Sequence, residues 1–417
     1  MNIQTTNTQH ATYHILPTSH QGFITGCCMV AAGNLHVTHA QRVLPALLAQ
    51  ALGLGTKSKS ESEFNEALEA RGILLHTSVT TLYMTVKFTC LSQDLETVLS
   101  LIAEQLNEPK LDASAIDNLK NRMMTKYDAL KDDTSYQASA IFTQTLYPES
   151  HMLRADSPED MVSLVAKVTQ SNIEKYHKSY TPLCHAKWII VGDVEPTKVV
   201  TLLEKFSSQD GSLPSESRSV LEALPPKQGV KKVVVEDKQS VDIRMGHVLP
   251  IDIHHPDYLP LRLAIDALGG SFSARLMRTV RDEDGLTYNV GSKIAGFIPH
   301  HGGHWMVYGS FSPKLLDKGI SSIQKQLKLW CSGGISAEEL EERKLGMVGR
   351  YQVMLSDAES LVDKLSANIE NGFDVDYLYT FSDKVMAVTL DEVNNALKKY
   401  IDLGKLTSVY AGSIQKS

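Results

Sequence analysis

Hydrophobic residues recur along this chain with two different periods, and the change from one to the other marks out its elements. Apolar, strand-like runs at 11–16 and 22–32, separated by a polar turn at 18–21, predict two strands. A helix follows from about 39 to 52. Ser60, with Ser62 and Glu63, starts another that ends at Gly72. Strands at 73–79 and 82–91 have partly alternating apolar residues, and three more helices occupy much of 94–145. After a looser stretch, 170–180 reads as helix and 186–194, AKWIIVGDV, as a buried strand. Further on, 261–268 is apolar on one helical face, and Gly269-Gly270 stops that helix with residues free to take positive φ. Ser271, Phe272 and Ser273 then offer a fresh N-terminus. Leu276, Met277 and Val280 suit a short helix over 274–280, and 282–285 is turn chemistry ahead of a strand with Leu286, Tyr288 and Val290. On this pattern Arg281 ends a helix and Tyr288 sits on a strand.

Residues 207–229, SSQDGSLPSESRSVLEALPPKQG, concentrate Ser, Pro, Gly and charge without a strand pattern, as an interdomain linker does. They divide the chain nearly in half, and the halves repeat. Val168-Thr169, Tyr180 and Gly192 recur as Val388-Thr389, Tyr400 and Gly412, each shifted by 220 residues. Ala113 and Ile116 answer to Ala337 and Leu340 at a shift of 224, and Ala51-Leu52-Gly53 to Ala267-Leu268-Gly269 at 216. Strands and helices come in mixed order, with no β-α-β run carrying phosphate glycines. The prediction is therefore α+β: a first lobe at 1–206, the linker at 207–229 and a second lobe at 230–417, each lobe built on a largely antiparallel sheet.

Composition narrows the function classes. At 417 residues the chain suits two domains, and 42% hydrophobic with 21% charged residues is a globular balance. The net charge of −7 is mild, and the basic cluster at 227–232 stands alone, which argues against a nucleic-acid partner. Five cysteines with no C-x-x-C read as buried thiols in a reducing compartment. No apolar run reaches membrane-spanning length, and 1–16 has no basic region followed by an apolar one. Cytoplasm is the default reading; a chain already trimmed of an export signal would look the same, which leaves the periplasm open.

Nucleophile-elbow, P-loop and dinucleotide motifs are absent from the sequence. His300, His301 and His304 lie around a Gly-Gly that predicts a hairpin, which puts their rings on diverging strands rather than around a metal. His36 and His39 lack the i, i+4 spacing of two ligands on one helix face, and His254-His255 point apart as neighbours. The pair that invites chemistry is Arg281 and Tyr288. Arginine offers five donors in a fixed fork for a carboxylate or peptide carbonyl, and tyrosine a hydroxyl that donates to a carbonyl oxygen. By residue type alone, an arginine paired with Asp282 or Asp284 and a tyrosine alternating in a sheet explain the same letters.

The stretch GGSFSARLMRTVRDEDGLTYNVG, 269–291, resembles the GG-x-x-x-SRL-x-x-x-(L/V)R-x-x-x-GL-x-Y signature in the non-catalytic half of the pitrilysin/insulinase-like zinc peptidases, the inverzincin and mitochondrial-processing-peptidase-like group. His255-Pro256-Asp257-Tyr258 with Leu261, and 335–340, ISAEEL, are similar to that family's sequence on either side. Ala274 departs from it, standing where the family usually has Ser. The resemblance implies lobes with helices packed on one face of each sheet, and two such two-lobed units closing around a chamber that takes peptides. It also implies a zinc motif, H-x-x-E-H, ahead of a Gly-Thr pair. Counted back from Gly55-Thr56, the histidines and glutamate fall on Ala46, Gln50 and Ala49, and the third ligand falls around 126–128, where there is no Glu. Catalytic zinc needs three protein ligands and a base, so the expectation is a first lobe without metal and a chain with no cofactor of its own. The function implied is that of a non-catalytic subunit, inactive alone, in a two-chain metallopeptidase. Arg281 and Tyr288 bind the peptide substrate, and a homologous H-x-x-E-H partner holds the zinc. A structural subunit of a larger complex and a self-sufficient peptidase with another site are the alternatives.

Overall fold

The structure is a computed structural model describing residues 3–18, 22–181, 183–207, 222–225, 227–298 and 300–414. Of the expected linker at 207–229, residues 208–221 and 226 lie outside the described residues. The described strands form two sheets. The first contains β1 (Gln4–Asn7), β2 (Ala11–Pro17), β3 (Phe23–Val30), β4 (Leu74–Val79), β5 (Met84–Leu91) and β6 (Ala186–Gly192), in the order β1-β2-β6-β3-β5-β4. The second contains β7 (Gly229–Val234), β8 (Val241–Val248), β9 (Asn289–Ala295), β10 (His304–Phe311) and β11 (Thr407–Gly412), in the order β7-β11-β8-β10-β9.

Set β1 aside and the two orders are the same, with the last strand of each half inserted beside the first. That pair is parallel in both sheets, β2 with β6 and β7 with β11, and the other pairings are antiparallel. The repeat seen in the sequence is thus a repeat of topology. Its recurring residues have local reasons. Thr169 and Thr389 each cap a helix, accepting from the backbone N–H of Asn172 and Glu392, whose side chains reach back in a capping box. Gly192 and Gly412 end β6 and β11 at φ 148°, where a Cβ would meet the carbonyl oxygens of Phe23 and Ser240 at 2.3 and 2.4 Å. Strand β1 has no counterpart among the described residues of the second half. Its sequence, QTTN, is polar and fully exposed, so hydrophobic patterning gives no sign of it.

The chain forms two compact units, neither of them a continuous stretch. The first draws its described residues from Met1–Lys126, Asp160–Ser219 and Gln352–Leu378, the second from Tyr127–Glu159, Val220–Tyr351 and Tyr379–Ser417. This differs from a division into 1–206 and 230–417 by an exchange of one helix each way. Helix Thr134–Leu146, from the first half of the sequence, packs on β8 and β11, and helix Ala358–Glu370, from the second half, packs on β3 and β6. Both are capped by aspartate, Asp133 and Asp357, at the spacing already seen between Ala113 and Ala337.

The physical reason lies in the central strands. β3, β6, β8 and β11 are buried nearly throughout rather than at alternate residues, so cover reaches both of their faces. On β8, Arg244 and Asp242 are buried and polar. Arg244 donates to Ser135 Oγ at 2.7 Å and Ser139 Oγ at 3.0 Å, and Thr134 Oγ1 donates to Asp242 at 2.6 Å, all three partners on the exchanged helix. In the other unit Lys87 of β5 binds Glu359 and Asp363 of the exchanged helix, at 2.7 and 2.8 Å. No helix among the described residues is long and apolar enough to cross a membrane.

Gly412→Ala is expected to lower stability by ~2 kcal/mol or more, since it adds both a strained φ and a backbone overlap. Gly229→Ala is the control, because a Cβ there meets nothing within 4 Å. Equal melting temperatures for the two variants would contradict this account of the repeat.

Candidate functional site

Helix Tyr258–Gly269 delivers the chain to the Gly269-Gly270 pair, where the expected use of positive φ is not what is found. Gly270 has φ −85° and ψ −4°, and the glycines are required for space instead. A Cβ on Gly269 would fall 2.4 Å from the backbone nitrogen of Ser292, and one on Gly270 would fall 2.0 Å from Asp266 Oδ1. Asp266 is largely buried. Its Oδ2 accepts no hydrogen bond among the described residues, and Arg350 stands off at 3.9 Å.

The loop that follows is tied down from below. Arg343, on helix Ala337–Met354 and only 6% exposed, donates to Ser271 Oγ and, at 2.7 Å, to Ser273 Oγ. Arg275 grips both carboxylate oxygens of Glu339 at 2.6 Å and the carbonyl of Gly334 at 2.8 Å. Between these two tethered serines Phe272 is 76% exposed.

Arg281 lies within a π-helical turn, Met277–Glu283, rather than at the end of an ordinary helix. Met277 and Val280 anchor this wider turn in the core. The Arg281 guanidinium sits over the Phe272 ring, 5.3 Å from its centroid, and its Nε is 3.8 Å from Asp282, too far for a hydrogen bond. Its fork therefore makes no hydrogen bond among the described residues. Tyr288 falls just before β9 and not on it. Thr287 on one side donates to the Ser310 carbonyl, and Asn289 on the other is paired with Ser310 in the sheet. Tyr288 between them is 92% exposed, and its hydroxyl makes no hydrogen bond among the described residues. Both groups picked out by sequence are thus presented by well-anchored backbone, each with its polar end available. Sequence patterning misses Phe272 and Arg343, because Arg343 meets Ser271 and Ser273 from some seventy residues along the chain.

Ala46, Ala49 and Gln50 share helix Leu44–Ala51. Ala49 is buried, and the Gln50 amide lies 3.4 Å from the Ala46 carbonyl and 3.5 Å from Met123 Sδ. Two methyl groups, a carboxamide and a thioether do not make a zinc site: catalytic zinc takes three ligands such as imidazole or carboxylate. Among the described residues no group of three or more His, Cys, Asp or Glu is arranged to hold a metal. The histidines of the second lobe are spread apart. His300 stacks on His254 at 5.4 Å, while His304 is buried against the Tyr147 hydroxyl at 3.0 Å, where burial and Lys293 lower its pKa to about 4.

With this geometry in view, two family profiles match the chain: "Peptidase M16 inactive domain" over residues 167–347 and "Insulinase (Peptidase family M16)" over 27–151. The chain belongs to peptidase family M16. Among M16 relatives, it is 22% identical over 413 residues to the "non-peptidase homolog YmxG" of Helicobacter pylori, a match covering 97% of this chain and 91% of that one. Its fold matches the peptidase M16 inactive domain from Pseudomonas fluorescens with a TM-score of 0.88 at 20% identity, covering 100% of this chain and 99% of that one. The periplasmic protease PqqL of Escherichia coli matches with a TM-score of 0.82 at 14% identity, covering 98% of this chain and 45% of PqqL. The α+β, two-sheet architecture is therefore the M16 fold.

Asp266, under the glycine pair of this M16 loop, should leave a pH signature. Burial holds its carboxyl above the usual aspartate range, against the pull of Arg350, Arg343 and Arg262. The folded state then keeps its proton more readily than the unfolded chain. Its contribution is full below the ordinary aspartate pKa and is lost as pH rises through the raised one. Asp266→Asn should flatten the fall in melting temperature as pH rises above the ordinary aspartate range. An unchanged slope would show that folding does not raise the Asp266 pKa.

Proposed function

We propose that this chain is the non-catalytic, substrate-binding subunit of a two-chain zinc metallopeptidase. Arg281 and Tyr288 face the peptide, and a homologous partner with H-x-x-E-H holds the zinc. The observation that carries this reading is a guanidinium fork and a phenol hydroxyl that have no hydrogen-bond partner among the described residues, on a segment otherwise anchored by Arg343, Met277 and Val280. Three further findings support it. Ala46 and Ala49 remove the donors a zinc site would need, the H. pylori relative is called a non-peptidase homolog, and this fold makes up 45% of PqqL. The remaining length of PqqL has no counterpart in this chain, and here a separate subunit would supply what this chain lacks.

Physical chemistry assigns the two groups different roles. A metal-activated water leaves the scissile carbonyl weakly held, and a donor placed where the oxyanion develops lowers the barrier, each such donor being worth ~3 kcal/mol. Tyr288 is suited to that task, because a single hydroxyl strengthens its bond as charge grows. Arg281 is suited to gripping a carboxylate or a backbone carbonyl before reaction, through two parallel donors.

Elemental analysis of the purified chain should find no stoichiometric zinc. One zinc per chain surviving mild chelation would overturn that expectation. Mixed with an H-x-x-E-H partner, the complex should cleave peptides in a chelator-sensitive manner. In that complex Tyr288→Phe should lower kcat ~100-fold or more with KM changed less, and Arg281→Ala should raise KM, with lysine a poor substitute. Normal assembly with near wild-type kcat/KM in both variants would leave the pair a merely structural one.

A further inference from the structure

We propose that Phe272 is a positioning residue for Arg281: its exposed ring carries the guanidinium and leaves the N–H edge of the fork free for a peptide carbonyl or carboxylate. The proposal rests on the reading of Arg281 as a substrate-binding group.

Single exposed hydrophobic residues are ordinary on protein surfaces, so exposure alone says little. Two observations set Phe272 apart. First, its backbone is pinned on both sides. Ser271 and Ser273 both accept from the buried Arg343, which tethers the turn that carries Phe272. Second, the outward ring meets a cation, with the Arg281 guanidinium 5.3 Å from its centroid.

An arginine meant to bind substrate must be held still without using its donors. A carboxylate partner would fix it but would occupy the fork and neutralise the charge. The nearest carboxylate, Asp282, lies 3.8 Å from Nε and makes no hydrogen bond to it. An aromatic face solves the problem differently, because the attraction acts through the flat side of the guanidinium and the donors lie in its plane. The chain of dependence therefore runs from Arg343 through the two serines to Phe272, and from Phe272 to Arg281. It also explains why this loop exposes a phenylalanine at a position flanked by glycine, serine and alanine.

The test uses Phe272→Leu, which keeps an apolar side chain and removes the π face, and Phe272→Tyr, which keeps both ring and face. In the reconstituted peptidase, Phe272→Leu should raise KM about two- to fivefold with kcat little changed, and Phe272→Tyr should restore it. In an Arg281→Ala background the leucine substitution should add nothing, because the group it positions is gone. If Arg281→Ala raises KM and Phe272→Leu does not, or if the two effects simply add, Phe272 does not position Arg281. If Arg281→Ala leaves KM unchanged, the reading of the substrate site fails, and a second measurement still decides the role of Phe272. In the full chain without a partner, the Arg281 Nε–H resonance, assigned by its loss in Arg281→Lys, should be shifted upfield by the ring. That shift should vanish in Phe272→Leu and persist in Phe272→Tyr. A resonance that is the same in wild type and Phe272→Leu overturns the proposal.

Discussion

The two central strands of each sheet are buried on both faces, and part of that cover comes from the other half of the sequence. Much of the remaining structure follows from this constraint. Arg244 and Asp242 sit on β8, where an unpaired charge would cost several kcal/mol, and both find partners on helix Thr134–Leu146. These hydrogen bonds fix which helix lies there as well as stabilising it. The chain therefore cannot be cut into 1–206 and 230–417 without uncovering a sheet in each unit.

The same logic of supplied and withheld partners shapes the loop after Gly269-Gly270. The two arginines under it are satisfied, Arg343 by two serines and Arg275 by Glu339 and the Gly334 carbonyl, while the buried Asp266 keeps one oxygen without a hydrogen bond among the described residues. Groups that lie above it are left open. Arg281 is held by a ring face and Tyr288 by its neighbours' backbone, so that neither uses its own donors. Rigidity beneath and availability above are what a substrate-binding surface needs, since donors fixed before reaction require no reorganisation during it. Helix Leu44–Ala51 of the first half has a different character, since Ala46, Ala49 and Gln50 present two methyl groups and an amide.

Much of this is written in local patterns. Apolar runs and alternation locate the strands β2 to β6 of the first sheet, and Thr169 and Thr389, legible in the sequence as a repeat, cap helices in both halves of the structure. The 220-residue repeat foretells a topology repeated strand for strand. That Ala46, Ala49 and Gln50 carry neither imidazole nor carboxylate needs only the identity of three letters. Local reading falls short where a local rule meets a non-local situation. A Gly-Gly pair after a helix predicts positive φ; Gly269 and Gly270 instead provide room for Ser292 and Asp266, and that demand comes from a strand and a side chain packed against them. The alternation Leu286, Tyr288, Val290 predicts Tyr288 on a strand, but pairing with β10 begins only at Asn289.

By itself the sequence determined most elements of the first half, the duplication, the family and the candidate pair, because helix period, strand alternation and motif spacing are properties of neighbouring residues. Only the tertiary structure decided the exchange of helices, the outward turn of Phe272 and the freedom of the Arg281 fork. Each of these depends on which distant group fills a space or takes a hydrogen bond. Helix Thr134–Leu146 meets β8 across about a hundred residues of chain, and Arg343 meets Ser271 across some seventy. No period along the chain encodes such meetings; they are settled when buried polar groups and apolar faces find the arrangement that leaves the fewest of them unpartnered.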